Sequence, residues 1–183
     1  MSEETIVKNC SPTLAGIKTG SLFNCEYDSR EMLKAKIREF NRRFASKGLR
    51  FVPMRIGEKR ALIYVFRPKR LKNDLLSAEV AEILAERGYA CEGPEKCVAA
   101  LGKRIREDEE FPHEIGLFLG YPPEDVRGFI ENHAKESKLV GHWKVYGDAE
   151  KARLLFDRYN RCTSSYLRKL TQGSSLENLT VAG

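Results

Sequence analysis

One cysteine, one histidine and one glutamate are the side chains in this sequence best suited to carry out chemistry together. A thiol becomes a nucleophile when a neighbouring base takes its proton, and a carboxylate can orient that base. We therefore predict Cys10 as the nucleophile or redox thiol, His113 as the base and Glu114 as the residue that orients His113. In the competing interpretation, Cys10 is an inert core cysteine and His113 caps or supports a helix.

The residues that follow Cys10 predict a helical turn within residues 5–18. Ser11 is a typical N-cap, and Pro12 suits the first position of a helix. Cys10 would then lie just before a helix N-terminus, where the positive end of the helix dipole lowers the pKa of a thiol. Lys18 begins a Lys-Thr-Gly-Ser turn that could bind an anion, although the full phosphate-loop pattern is absent.

The stretch that contains the histidine predicts two short helices, at 114–119 and 123–132. Gly116, Gly120 and Val126 have the spacing of a helix-turn-helix, in which a small residue lets the helices touch and a glycine forms the turn. The second helix carries mostly acidic side chains, which oppose phosphates. An ordinary helical hairpin is therefore the preferred interpretation.

The remaining pattern predicts an α+β fold with a small mixed or antiparallel sheet of about four strands. Apolar residues alternate over 21–27, a hairpin is indicated at 49–67, and residues 142–146 are typical of a final strand. Helices are predicted to cover this sheet at 29–47 and 149–171, with a helical insertion at 77–132. The length suits a single domain over residues 1–183.

The positive charge is concentrated in one quarter of the chain. The net charge is +6, yet residues 30–72 hold 15 lysines and arginines against three glutamates. Such a segment is typical of a phosphate-rich partner, so nucleic-acid binding through Arg42, Arg43, Arg55 and Arg60 is an alternative hypothesis. A solvated helix face beside a charged hairpin explains the same pattern.

Export and membrane insertion are not predicted. The acidic N-terminus lacks the regions of a signal peptide, and no run of about 18 apolar residues occurs. We predict a cytoplasmic protein with no membrane partner. The odd number of cysteines and the absence of Cys-x-x-Cys favour free thiols over a disulfide framework or a metal site, at positions 10, 25, 91, 97 and 162.

Four segments together resemble a known but uncharacterised family. They are Cys-Ser-Pro-Thr-Leu-Ala-Gly within residues 9–18, Phe-Pro-His-Glu-Ile-Gly-Leu-Phe-Leu-Gly-Tyr-Pro at 111–122, residues 124–130, and Trp-Lys-Val-Tyr-Gly-Asp at 143–148. The chain resembles, over nearly its whole length, a family common in clostridia and related anaerobes and catalogued only as a domain of unknown function. The resemblance implies that certain polar residues recur in these motifs: Cys10, Lys18, His113, Glu114, Asp125, Lys144 and Asp148.

Three hypotheses follow for the function. The leading one is a site for an unknown small molecule or cofactor near Cys10, His113 and Glu114, in a thiol-dependent enzyme, with Lys18, Asp125, Lys144 and Asp148 as ligand-binding residues. The second is the nucleic-acid module. The third, suggested by the resemblance, is an iron- or haem-related redox accessory protein that uses His113 with Cys10 and has a redox protein as its partner. Asp148 also has a sufficient structural explanation as a helix cap.

Overall fold

The computed structural model describes residues 1–90 and 93–183, and it confirms the α+β prediction. Helices pack against two small antiparallel sheets. The strands are β1 (Gly20–Glu26), β2 (Arg50–Ile56), β3 (Arg60–Phe66), β4 (Leu139–Val140) and β5 (Lys144–Val145). The helices are α1 (Glu3–Leu14), α2 (Arg30–Phe44), α3 (Pro68–Leu75), α4 (Ala78–Glu86), α5 (Pro94–Glu107), α6 (Ile115–Leu119), α7 (Pro123–Glu131), α8 (Ala149–Thr171) and α9 (Leu176–Leu179).

The main sheet has the strand order β1-β3-β2, with the predicted hairpin forming β2 and β3. The pairing register shifts between Pro53 and Arg55, as expected for a proline on an edge strand. The side chain of Asn41 on α2 exchanges two hydrogen bonds with the backbone of Phe51, at 2.8 and 2.9 Å. This amide takes the place of a neighbouring strand and protects the open edge from further pairing.

The two faces of the main sheet belong to different hydrophobic clusters. Ile63 and Val65 on β3 pack with apolar residues of α1, α2 and α9. Tyr64 and Phe66, which alternate with them, pack with α3 to α7. A third, smaller cluster surrounds Trp143, between the β4–β5 ladder and α8. The sheet therefore separates two layers of side chains.

The predicted start of the first helix is wrong. Helix α1 begins at Glu3, and the hydroxyl of Ser2 caps it by accepting from the Thr5 N–H at 3.1 Å. Pro12 lies inside the helix, and the Ser11 hydroxyl donates to the Val7 carbonyl at 2.5 Å. A serine followed by two glutamates is the stronger N-terminal signal because it adds favourable charge to the helix dipole.

The predicted strand at 142–146 is only partly correct. Residues 144–145 pair with 139–140 in a separate two-stranded ladder, and neither strand joins the main sheet. The backbone N–H groups of Tyr146 and Gly147 bond to the carboxylate of Asp125, so they are not available for a longer ladder.

The predicted helical hairpin is confirmed as α6 and α7. A Cβ atom added to Gly116 would lie 2.7 Å from Val126 Cγ2, so the two helices touch only because residue 116 has no side chain. Gly120 ends α6 with φ +78°, in the left-handed region that glycine tolerates. In the part of the chain that the structure describes, no helix has both the length and the apolarity needed to cross a membrane.

Candidate functional site

A cavity of about 320 Å³ lies between the α6–α7 hairpin and the β4–β5 ladder. Its walls are mostly apolar or aromatic and come from residues 111–129 and 140–143: Phe111, Ile115, Gly116, Tyr121, Val126, Phe129, Val140, Gly141 and Trp143. Four side chains with polar atoms complete the lining: His113, Asp125, His142 and Lys144. The structure thus brings together three of the predicted site residues, His113, Asp125 and Lys144.

Of the four polar side chains named above, His113 forms the fewest hydrogen bonds with the described part of the protein. It is exposed, and its ring meets the Phe129 ring edge-on with 5.0 Å between centroids. No residue in the described ranges 1–90 and 93–183 forms a hydrogen bond with its imidazole nitrogens. Both nitrogens are therefore available to a bound molecule.

Asp125 is fully engaged in holding the cavity wall. Its Oδ2 accepts from Trp143 Nε1 at 2.7 Å, and its Oδ1 accepts from the backbone N–H groups of Tyr146 and Gly147, each at 2.7 Å. These bonds stabilise a buried carboxylate and tie α7 to the segment around β5. The geometry explains Asp125 as a structural residue of the site.

Lys144 and Asp148 also have structural partners. The Lys144 ammonium donates to the Ala134 carbonyl at 2.6 Å, and Ala134 has φ +61°, a conformation that costs energy for a residue with a side chain. Asp148 caps α8 by accepting from the Lys151 N–H at 3.0 Å, as the capping explanation predicts. Asp148 does not line the cavity.

Aromatic rings form the wall nearest α8. Trp143 stacks on Tyr121 with 4.5 Å between centroids and meets Phe156 edge-on at 4.5 Å. His142 shares a hydrogen bond of 3.0 Å between its Nε2 and Asn160 Oδ1. The sequence-based site prediction omitted His142, although its position beside Trp143 was an available signal.

Glu114 does not orient His113. It is buried, and its Oε1 accepts a hydrogen bond of 2.8 Å from the Tyr89 hydroxyl. Burial raises the pKa of Tyr89, and the carboxylate of Glu114 raises it further, so the phenol remains a donor. No hydrogen bond joins the side chains of Glu114 and His113 within the described ranges. The two residues predicted to act together therefore have different neighbours: Glu114 bonds to Tyr89, and the ring of His113 contacts Phe129.

Cys10 does not line this cavity. It lies inside α1 and belongs to the hydrophobic cluster on the opposite face of the sheet from the residues that surround Glu114 and Ile115. Burial raises the pKa of the Cys10 thiol to about 12, although the charge of Lys18 and a hydrogen bond with Ser21 act in the other direction. The predicted lowering of this pKa is wrong, because the thiol is not at a helix N-terminus.

The remaining cysteines only partly match the prediction of free thiols. Cys10, Cys25 and Cys162 are free, whereas Cys97 is disulfide-bonded. Cys91 lies outside the described residues. Within the described ranges, no three His, Cys, Asp or Glu side chains group closely enough to hold a metal ion. The iron or haem hypothesis relied on His113 together with Cys10, and Cys10 is not among the residues that line the cavity with His113.

The basic segment does not form the predicted set of four arginines. Arg43 is committed to ion pairs with Glu3 and Glu39, at 2.9 and 3.2 Å, and with Glu177. Arg60 pairs with Glu26 at 3.0 Å. Of the four, only Arg42 and Arg55 are exposed and have no carboxylate partner among the described residues.

Comparison with known proteins gives a family but no function. No curated protein and no solved structure is significantly similar to this chain. One family model matches residues 6–180, and its description reads "Protein of unknown function (DUF3793)". The resemblance to a domain of unknown function is confirmed over nearly the whole length: the chain belongs to the DUF3793 family.

Proposed function

We propose that this protein binds a small, largely apolar molecule in the cavity between the α6–α7 hairpin and the β4–β5 ladder. The observation that carries the proposal is an exposed histidine, His113, whose ring has no hydrogen-bond partner among residues 1–90 and 93–183, at the wall of a mostly aromatic and aliphatic cavity. Ligand pockets typically combine a mostly apolar lining with a few polar groups that orient the ligand. The volume of about 320 Å³ suits a compact molecule of one or two rings.

The polar atoms of the cavity indicate how such a molecule would be held. Asp125 accepts three hydrogen bonds from the protein, Lys144 uses one of its three ammonium donors on Ala134, and His142 uses one ring nitrogen on Asn160. The ring of His113 and the remaining donors of Lys144 are therefore the polar groups left for a ligand. A molecule with a flat apolar body and one hydrogen-bonding or anionic group fits this distribution.

The rim of the cavity supports the same conclusion. Phe111 is 40% exposed and Val140 is 67% exposed, and both line the cavity. Large apolar side chains that stay in water beside a cavity are typical of a binding surface. They would lose this exposure when a ligand covers them, which favours binding.

This proposal keeps the predicted small-molecule site and changes its membership. His113 remains, with Asp125 and Lys144 as its supporting wall. Cys10 and Glu114 are not part of the proposed site because neither residue lines the cavity. The function supported best is therefore non-covalent binding, without a thiol step.

Trp143 allows a direct test, because it is the only tryptophan in the chain and lies in the cavity wall. The probe is 8-anilinonaphthalene-1-sulfonate, an aromatic anion whose emission can be excited by energy transfer from tryptophan. We expect saturable one-to-one binding that quenches Trp143, weakened about tenfold in a His113→Ala variant.

The matched control is His133→Asn, which removes an exposed histidine outside the cavity lining at a position with φ +48° that asparagine tolerates. This control should bind the probe as the unmodified protein does. Equal affinity in all three proteins, or no saturable binding, would contradict the proposal.

A second candidate is a polyanion-binding surface on α2. Arg30, Lys34, Arg38 and Arg42 follow one another at intervals of four residues, are exposed, and have no ion-pair partner among the described residues. Positions four apart share a helix face, so these four cations form a stripe. For the nucleic-acid hypothesis, this stripe and Arg55 on β2 replace the four arginines predicted from the sequence, because Arg43 and Arg60 are held in ion pairs.

A single-stranded RNA of about 20 nucleotides tests the second candidate. We expect micromolar binding at low salt that falls steeply with salt concentration, and a loss of about tenfold or more in an Arg38→Gln, Arg42→Gln double variant. Arg153→Gln, on the exposed face of α8, is the control. Absence of binding at low salt removes the nucleic-acid hypothesis.

A further inference from the structure

A groove of about 350 Å³ follows the outer edge of β2, where α2 and α5 both pack against that strand. Asn41 of α2 reaches this edge, and its side chain exchanges hydrogen bonds of 2.8 and 2.9 Å with the backbone of Phe51. Ala99 of α5 also lines the groove and is exposed, so the groove is open to solvent. The lining is mostly apolar and comes from β2, β3, α3 and α5: Phe51, Val52, Pro53, Met54, Phe66, Pro68, Val98, Ala99 and Gly102.

Two guanidinium groups also line this groove. Arg50 begins β2, Arg106 lies near the end of α5, and both residues are exposed. Arg106 Nη1 donates to the Met54 carbonyl at 3.1 Å, which holds that guanidinium against the strand. Neither arginine has an ion-pair partner within residues 1–90 and 93–183. Glu95 is the one carboxylate among the described residues that line the groove, so the lining carries a net positive charge.

The cationic stripe of α2 belongs to the same face of the molecule as this groove. With about 3.6 residues per helical turn, Asn41 falls within the arc of α2 that the four cations of the stripe span. Asn41 is also the residue of α2 that bonds to the edge of β2 and lines the groove. An apolar groove is therefore bordered by the stripe on one side and contains Arg50 and Arg106.

We propose that this face selects single-stranded nucleic acid, with phosphates on the cations of the stripe and groove and an unpaired base inside the groove. The proposal rests on the second candidate function, the polyanion-binding surface on α2, and adds a preference for single strands. Guanidinium groups bind phosphate oxygens through two parallel hydrogen bonds, whereas an apolar groove is of no use to the phosphates. A base can enter such a groove only from a single strand, because the bases of a duplex are paired and stacked.

Three polyanions compared at the same low salt concentration test this selectivity: a single-stranded RNA, the same RNA as a duplex, and inorganic polyphosphate, each of about 20 units. We expect the single strand to bind about tenfold more tightly than the duplex or polyphosphate, because only the single strand adds a base contact to the phosphate contacts. Equal or weaker binding of the single strand would overturn this inference and leave the polyanion-binding surface intact. Absence of binding by all three probes would remove both proposals.

Ala99→Leu tests whether the groove is the source of the selectivity. The larger side chain narrows the groove at an exposed helix position and removes neither a charge nor a side-chain hydrogen bond. Single-stranded RNA should then bind about tenfold more weakly, while the affinity for polyphosphate stays unchanged. The matched control is Ala85→Leu, the same substitution at an exposed position of α4 outside the groove lining, and it should alter neither affinity. An Ala99→Leu variant that still prefers the single strand tenfold would overturn the assignment of the base to this groove.

Discussion

Cys10 and His113 illustrate how differently the two layers of this protein treat residues that can react. The layer of α1, α2 and α9 is closed, and Cys10 is fully buried in it with a thiol that is held in the protonated form. The layer that includes α6 and α7 leaves a cavity lined by an exposed His113, whose ring forms no hydrogen bond with the residues that the structure describes. Reactivity therefore depends on exposure and on the stability of the charged form, which residue type alone does not reveal.

The largest expected effect is a difference in reaction rate between the thiols of Cys10 and Cys162. Cys10 should react with 5,5′-dithiobis-(2-nitrobenzoic acid) at least a hundredfold more slowly than the half-buried Cys162, because it must wait for local or global opening. Mass spectrometry can follow the labelling of each cysteine separately at pH 7.5. Fast labelling of Cys10 in the folded protein would restore the thiol-enzyme hypothesis.

The cavity wall should be sensitive to the loss of its buried carboxylate. Asp125→Ala leaves three N–H donors without an acceptor, and we expect the free energy of unfolding to fall by about 3–5 kcal/mol. Urea unfolding measures this change. Glu124→Ala, at the exposed neighbouring position, should change it by less than about 0.5 kcal/mol. Similar values for the two variants would show that Asp125 does not hold the wall.

Lys18 should make stability depend on pH. Its pKa is about 8 in the folded protein against an ordinary value of 10.5, so the unfolded chain binds more protons between these values. The contribution of Lys18 to the free energy of unfolding is therefore lowest below pH 8, and it rises by up to about 3 kcal/mol towards pH 10.5.

The buried Cys10 thiol acts in the opposite direction as the pH rises above its ordinary value of 9.0, so the informative quantity is a difference between proteins. The unmodified protein should gain stability relative to Lys18→Met as the pH increases from 7 to 10. A constant difference between the two unfolding curves would contradict the lowered pKa of Lys18.

The smallest expected effect is that of His113 on stability. Because its imidazole forms no hydrogen bond with the described residues, His113→Ala should lower the free energy of unfolding by less than about 1 kcal/mol. The residual loss comes from the edge-on contact with Phe129. A loss of several kcal/mol would mean that His113 supports the fold and is not free for a ligand.

Local signals in the sequence were sufficient for much of the fold. Pro94 and Asp148 mark the starts of α5 and α8, and the Gly57-Glu58-Lys59 turn marks the hairpin, because each feature acts through its own neighbours. The start of α1 was misplaced because two capping serines compete within one segment. That residues 1–183 form one domain stays a prediction, which a single unfolding transition seen by several probes would support.

The site was harder to predict because its members depend on contacts between distant segments. Proximity in the sequence suggested that Glu114 serves His113, yet Tyr89 takes the carboxylate. Asp125 was predicted to bind a ligand because it recurs in a family motif, yet its carboxylate accepts hydrogen bonds from the Trp143 side chain and from the backbone after it. Of the three residues predicted to react together, only His113 lines the cavity, and its role as a base stays a prediction.

If a ligand occupies the cavity beside His113, NMR of the three histidine rings should detect it there. Titration with 8-anilinonaphthalene-1-sulfonate should move the His113 ring signals strongly and those of His142, which also lines the cavity, to a smaller extent. The signals of His133 should stay in place. Unchanged His113 signals at saturating probe, or equal shifts at all three histidines, would show that the probe does not bind beside His113.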